Sequence, residues 1–218
     1  PFFQTIKKPV IVTFHSVLPQ PDEHLKNTVN FIGKNARALV VMNGRSKKIL
    51  EDIYGLSKSK ISLIPHGIPQ TTFEPSRITK QKLGLADKIV LSTFGMLNQD
   101  KGIEYAIRAL PALVKKFPNI IYLVIGATHP VVLKYSGEDY RNFLLKEVKR
   151  LGLKNNVKFY NKYVSLEEIV EYSKATDIYI STALNPNQSV SGTISYALGC
   201  GRAVISTPSE YAREIIRD

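Results

Sequence analysis

Five short, almost wholly apolar runs, each followed by a segment of helical period, constrain this chain more than any other feature. The runs are Ile89–Phe94, Ile120–Gly126, Val157–Tyr160, Asp177–Thr182 and Ala203–Ser206. Helical segments fall between them at Gly102–Lys116, Glu138–Leu151, Ser165–Lys174 and Gly192–Gly199, and a last one is expected at Ser209–Arg217. Ser165 followed by Glu168 has the spacing of a capping box. Strands that are apolar throughout, rather than on alternate residues, are buried on both faces. Helical crossovers between them imply parallel neighbours. The pattern therefore predicts an α/β fold with a parallel sheet of at least five strands.

The first third repeats the alternation in shorter form. Pro9–Phe14 reads as a strand. Asp22–Lys34 reads as a helix with Leu25, Val29 and Ile32 on one face. Ala38–Met42 is a short buried strand, Ser46–Tyr54 a basic helix stopped by Gly55, and Ile61–Ile64 a third strand. Gly67–Ser76 holds two prolines and no periodicity, which marks a linker. The expected organisation is a first Rossmann-like unit over residues 1–66, a linker over 67–76, and a second over 77–218.

Composition excludes several classes. At 218 residues and 44% hydrophobic content the chain can bury a sizeable core. No run approaches the roughly 18 apolar residues of a membrane span, and no signal-peptide pattern is present. The single Cys200 rules out an internal disulfide framework, suits a reducing compartment, and leaves no Cys/His cluster with metal-ligand spacing. The net charge of +12 is spread along the chain: ten Lys/Arg against five Asp/Glu up to residue 76, and twenty against thirteen after it. Nucleic-acid binders concentrate such charge on a recognisable module, and none is found. Nucleotide phosphates, anionic lipid head groups or a plain solvated surface are the readings left open.

The richest segment for chemistry runs from Gln188 to Pro208. A strand ending near Thr182 is followed by a polar loop, then by a helix opening at Ser191-Gly192-Thr193. Loops of this kind hold phosphorylated ligands, because free N–H groups of the first helical turn favour an anion. An ordinary N-cap explains the same residues equally well.

The tail of that segment, Ala197-Leu198-Gly199-Cys200-Gly201-Arg202-Ala203-Val204-Ile205-Ser206-Thr207, resembles the donor-site signature of retaining glycosyltransferases of family four, which have the two-domain GT-B fold. Three more segments resemble the family. Ile61–Ile68 is similar to the passage leading out of its N-terminal domain. Leu91–Gly102 is similar to its Gly-Arg-Leu, loop, Lys-Gly motif. Val10–His15 resembles the strand ending in an active-site His. The pattern departs at three places: its two acidic positions fall on Gln188 and Tyr196, and its Arg on Met96.

The resemblance implies a retaining transfer from a nucleotide-diphosphate sugar to a glycan or lipid-linked acceptor, as part of carbohydrate biosynthesis. It implies no metal or other cofactor and no nucleic acid. A cytoplasmic protein, with peripheral contact to anionic lipid at the inner membrane face, is expected. Residues 1–66 would be the C-terminal part of an acceptor domain and 77–218 a truncated donor-binding domain. The natural protein is then expected to be longer by on the order of a hundred residues. Carried over residue by residue, His15 contacts the transferred sugar. Gly95, Lys101, Ser191, Gly192 and Thr193 hold the donor diphosphate. Gln188, Tyr196, Tyr163, Val164 and His129 line the sugar or nucleoside, and His66 belongs to the hinge. With Met96 in place of Arg, a second cation must come from Arg202 or from outside this sequence. For each residue a structural reading stands beside the functional one: core for Tyr196, a cap for Ser165, a surface helix start for Lys101. The Gln188, Tyr196 and Met96 replacements also admit a GT-B-derived nucleotide-sugar-binding or regulatory protein without transfer activity. A sugar phosphorylase shares the architecture.

Overall fold

The computed structural model describes residues 2–216. Its two compact units are not simple halves of the chain. One comprises the residues up to Gly67, Pro186–Ser191 and the segment from Pro208 onward; the other comprises Ile68–Asn185 and Gly192–Thr207.

In the first unit, α1 (Phe2–Thr5) precedes β1 (Ile11–Phe14), α2 (Glu23–Asn35), β2 (Ala38–Val41), α3 (Gly44–Asp52) and β3 (Ile61–Leu63). The three strands pair in parallel in the order β1-β2-β3. Each long helix begins at a side-chain cap: the Asp22 carboxylate accepts from Leu25 N and the Asn43 amide oxygen from Ser46 N. Such caps satisfy donors that the first helical turn leaves without partners. The core gathers Leu39, Val41, Ile49, Leu50 and Tyr54. β1 departs from expectation, since Ile11 is 65% exposed and the strand lies at the sheet edge.

The second unit contains α4 (Ser76–Lys82), β4 (Ile89–Phe94), α5 (Ile103–Lys116), β5 (Ile120–Ile125), α6 (Pro130–Ser136), α7 (Asp139–Arg150), β6 (Val157–Tyr160), α8 (Leu166–Ala175), β7 (Ile178–Ser181), α9 (Gly192–Gly199) and β8 (Ala203–Ser206). All five strands are parallel, in the order β6-β5-β4-β7-β8, as the continuous apolar runs required. Every residue of β5 is buried. Ile103, Ile107 and Leu110 of α5 and Tyr140, Leu144 and Val148 of α7 repeat at helical spacing and cover one face of the sheet. Ser165 and Glu168 form the expected capping box on α8.

α10 (Glu210–Ile215) was expected to follow the last strand of the second unit, but it packs in the first. Its Glu214 carboxylate accepts from Gly44 N at the start of α3, while Glu210 N and Tyr211 N donate to the carbonyls of Pro186 and Gln188. Arg217, expected in that helix, lies outside the described residues.

The stretch read as a linker also has a structure. From Ile68 it belongs to the second unit, with Ile68 against Gly199 and Phe73 against Gly201, where any Cβ would collide with these side chains. Two glycines of the signature segment thus act as seats for the incoming chain. Among the described residues no helix is long and apolar enough to cross a membrane.

One ion pair between buried Lys80 and half-buried Asp177 ties three elements of this unit together. Asp177, just before β7, accepts from Lys80 Nζ (2.5 Å), Ser76 Oγ (2.8 Å) and Val90 N (2.7 Å). Removing one partner of such a pair leaves an uncompensated charge. Asp177→Ala should therefore lower unfolding stability by about 3 kcal/mol, measured by urea denaturation. A loss within the few tenths typical of a surface change would refute this role.

Candidate donor site at the sheet switch point

From β4 the chain moves to β5 and then β6 on one side, and returns to β7 and β8 on the other. The loops that follow β4 and β7 therefore diverge. In open α/β sheets this switch point, outside the carboxyl ends of the strands, is where ligands bind. The elements of the site follow from how those loops are held.

Gly95 extends β4 by donating its N–H to Ile125 O (3.0 Å), and Gly126 extends β5 by donating to Tyr160 O (3.0 Å). The two glycines then pass with their backbones in contact. A Cβ on Gly126 would stand 2.8 Å from Gly95 C and nearer still to its oxygen. Both have φ in the range that side chains avoid, +126° and +143°. Past this crossing Leu97 N donates to Ala127 O and His129 N to Leu97 O, so the two loops run on side by side.

Lys101 ends a 3₁₀ turn, Gln99–Lys101, and its Nζ lies 3.5 Å from where a Cβ on Gly95 would be. Thr193, in the first turn of α9, brings its methyl to 3.6 Å from the same point. The turn is held from β7: Thr182 Oγ1 donates to Lys101 O (2.8 Å) and Leu184 N to Asp100 O (2.8 Å). Gly102 has φ +56° and would clash with Thr182 O if it carried a side chain. Desolvation pushes the Lys101 ammonium below the ordinary lysine range, with no carboxylate among the described residues to offset it. A cation held in this way, facing a glycine crossing, favours an anionic ligand.

Beside the crossing is a cavity of about 220 Å³ lined by Gly95, Met96, Gly126, Ala127, Lys162, Tyr163, Val164 and Ile169. Val164 is buried and Tyr163 is 75% exposed at its rim. Lys162 is paired with Glu168, which lowers the Glu168 pKa through that hydrogen bond first. The walls are otherwise apolar side chains and backbone.

The remaining sequence-derived residues fall in different places. Thr193 hydrogen-bonds through its side chain to buried Tyr179, and Gly192 opens α9. Tyr196 is half-buried on α9. His129 caps α6, its Nδ1 accepting from Val131 N (3.2 Å). His15 (exposed, past β1), Gln188 and buried Ser191 belong to the first unit. The Gln188 amide donates to Val190 O (3.1 Å), and Tyr211 N to the Gln188 carbonyl. His66 Nδ1 pairs with Gly67 O.

Arg202 does not supply a second cation. It is buried, its Nε donates to Cys200 O, its Nη2 to Glu74 O, and its guanidinium lies 5.1 Å from the Phe73 ring centroid. An arginine that terminates backbone carbonyls in this way is structural. Sequence reasoning missed Thr182 and Tyr140, which hold the Lys101 turn, because a strand-end Thr and a helical Tyr at core spacing look like packing. Among the described residues no three His, Cys, Asp or Glu side chains are grouped to hold a metal.

Two Rossmann-like parallel units, with a glycine-crossed switch point in the second, define the GT-B architecture. Residues 76–218 match the family Glycosyl transferases group 1, and the chain belongs to that family. It is 27% identical over 223 residues to the uncharacterized glycosyltransferase MJ1069 of Methanocaldococcus jannaschii, covering 97% of this chain and 53% of that protein. It is 28% identical over 138 residues to mannosylfructose-phosphate synthase of Agrobacterium fabrum, covering 61% of this chain and 29% of that protein. The chain thus spans about half the length of the first relative, and less of the second. Among solved structures it is similar to HepE of Anabaena, crystallised with UDP and glucose, with a TM-score of 0.76, 23% identity, and 97% and 56% of the two chains covered. Sucrose-phosphate synthase of Thermosynechococcus elongatus gives a TM-score of 0.72 at 22% identity, over 95% and 52%.

The depressed Lys101 pKa has a consequence for stability. The unfolded chain binds that proton more tightly than the native state does, so the native state gains stability as pH rises from the folded pKa toward the ordinary lysine value. Near neutral pH the charged lysine is a burden on the ligand-free fold. Lys101→Met should therefore raise the melting temperature at pH 7, and the gain should shrink by about pH 10. A lower melting temperature at pH 7 would contradict the assignment.

Proposed function

We propose that this chain supplies the donor-binding part of a retaining glycosyltransferase of the family-four type. In this reading it takes a nucleotide-diphosphate sugar and passes the sugar to a hydroxyl of a glycan or lipid-linked acceptor. The observation that carries the proposal is Lys101, a desolvated ammonium with no carboxylate partner among the described residues, facing the Gly95–Gly126 crossing at the switch point. The diphosphate would lie over that crossing, where the absence of side chains lets backbone approach it, with the N–H groups opening α9 on its other side. Lys101 and those N–H groups would then stabilise the charge that grows on the departing nucleoside diphosphate, an electrostatic role that strengthens toward the transition state. The cavity at Tyr163 and Val164 would hold the nucleobase between apolar side chains and backbone groups. HepE was solved with UDP and glucose, which supports a nucleotide sugar as the ligand here.

A second reading, a nucleotide-sugar-binding protein without transfer, is favoured by one observation. Gln188, in place of an acidic residue, has its amide turned onto Val190 O. Turnover separates the two readings.

Calorimetric titration of UDP, GDP and ADP and their nucleosides tests the site. Lys101→Ala should weaken the preferred nucleoside diphosphate by about 2 kcal/mol, as expected for a lost hydrogen bond to a charged group. The matching nucleoside should hardly change. Equal losses for both ligands would remove Lys101 from the diphosphate. Release of nucleoside diphosphate from a donor sugar by the wild type supports the enzyme; binding without release with every donor supports the second reading.

A further inference from the structure

A helix N-terminus exposes N–H groups that need acceptors, usually supplied by a Ser, Thr, Asp or Asn at the cap. α5 begins two residues after Lys101 and has Gly102 at its cap, which has no side chain to offer. The missing acceptor comes from elsewhere in the sequence. Tyr140 of α7 accepts from Ile103 N with its phenolic oxygen (2.9 Å), and the same hydroxyl donates to Glu104 Oε2 (2.6 Å). One phenol thus closes the arrangement that a capping box makes with two side chains of a single helix. Only a hydroxyl serves both ends, since it donates and accepts at one atom.

This clamp lies directly behind the lysine turn. β7 holds Lys101 and Asp100 through Thr182 Oγ1 and Leu184 N. Tyr140 fixes the far end, where the turn becomes α5. Tyr140 is 4% exposed, and both burial and the neighbouring Glu104 push its pKa upward, so the hydroxyl keeps its proton. The adjacent Arg141 reaches the other loop, its Nη2 donating to Gly126 O (2.8 Å). The first turn of α7 therefore braces both sides of the crossing, and Tyr140 braces the side that bears the cation.

We infer that Tyr140 is a positioning residue for the donor diphosphate: through Ile103 and Glu104 it fixes the turn that holds Lys101 Nζ opposite Gly95. The inference rests on the proposed role of Lys101 at the diphosphate. It assigns the accuracy of that cation's placement to a phenol from another helix, which itself touches no ligand.

The test uses the chain and whichever of UDP, GDP and ADP binds most tightly, with the matching nucleoside as control. Tyr140→Phe keeps the ring and removes the hydroxyl. It should weaken the diphosphate about tenfold, the size of one hydrogen bond, and leave the nucleoside unchanged. In a Lys101→Ala background the same change should have no further effect on the diphosphate, because the group it positions is gone. Glu104→Gln, which keeps an acceptor for the phenol, should bind nearly as the wild type does. Glu104→Leu should lose affinity as Tyr140→Phe does. If Tyr140→Phe weakens both ligands equally, or weakens the diphosphate just as much without Lys101, Tyr140 is ordinary core and the inference is overturned. An unchanged diphosphate affinity in Tyr140→Phe overturns it as well. If Lys101→Ala alone leaves diphosphate binding intact, the reading of the site fails first and the positioning role falls with it. Should Tyr140→Phe not fold, Glu104→Leu and Glu104→Gln carry the same comparison.

Discussion

The loops at the carboxyl end of the second unit's sheet depend on the contact between the backbones of Gly95 and Gly126. Two parallel neighbours normally diverge after their last ladder bond, because each loop turns toward its own helix. Here the ladder continues past the strands, through Gly95 N to Ile125 O and Leu97 N to Ala127 O. It can do so because Gly126 carries no Cβ to strike the Gly95 backbone, and because both residues take φ values that side chains avoid. The continued pairing carries the β4 loop outward, and its return through the turn at Lys101 brings the lysine side chain back to Gly95. A side chain on Gly126 would push the loops apart and take the lysine with them. Strain of that kind in a buried backbone costs several kcal/mol, so the site and the local stability share one constraint.

In the proposed site Lys101 is the cation that faces the crossing. Arg202 was the apparent alternative, and the structure uses it to terminate the carbonyls of Cys200 and Glu74 instead. Met96 lines the cavity beside the crossing and contributes no charge. Lys101 is left in a partly desolvated place, and no carboxylate among the described residues offsets that. Under the proposed reading an arriving anion would relieve this. A site that is destabilising when empty gains more from its ligand than a surface lysine would, since the desolvation has already occurred in the folded state.

The sheet was legible because its signal is local. Each apolar run is long enough, and each intervening helix periodic enough, to fix strand, helix and parallel pairing together. Helix ends with polar caps, as at Asp22 and Ser165, were likewise readable. α4 and α6 were not. Both are single short helices of seven residues with few or no buried residues, so no apolar face marks them. The start of α3 was placed two residues late because Asn43, its cap, sits inside a Met-Asn-Gly turn signal. The stretch Gly67–Ser76 poses a different difficulty. Low periodicity reveals that a segment is neither helix nor strand, and says nothing of whether Ile68 and Phe73 will find glycine seats on Gly199 and Gly201 more than 120 residues away.

The same distinction governs the site. Lys101 and Gly95 could be named from the sequence because they lie in one motif, within seven residues of each other. The residues that hold them in place are dispersed: Thr182 follows β7, Gly126 follows β5, and Tyr140 lies on α7. At helical spacing with Leu144 and Val148, Tyr140 is indistinguishable in one dimension from a core aromatic, and by burial it is one. Its hydroxyl is what differs, and a hydroxyl acquires meaning only when the cap it meets is known to be a glycine. Gly102 has to be glycine because Thr182 O occupies the space of its side chain. That requirement removes the ordinary N-cap from α5 and creates the need that Tyr140 fills. The close packing that brings the lysine turn to the carboxyl end of the sheet is thus also the reason the turn must be braced from a third element.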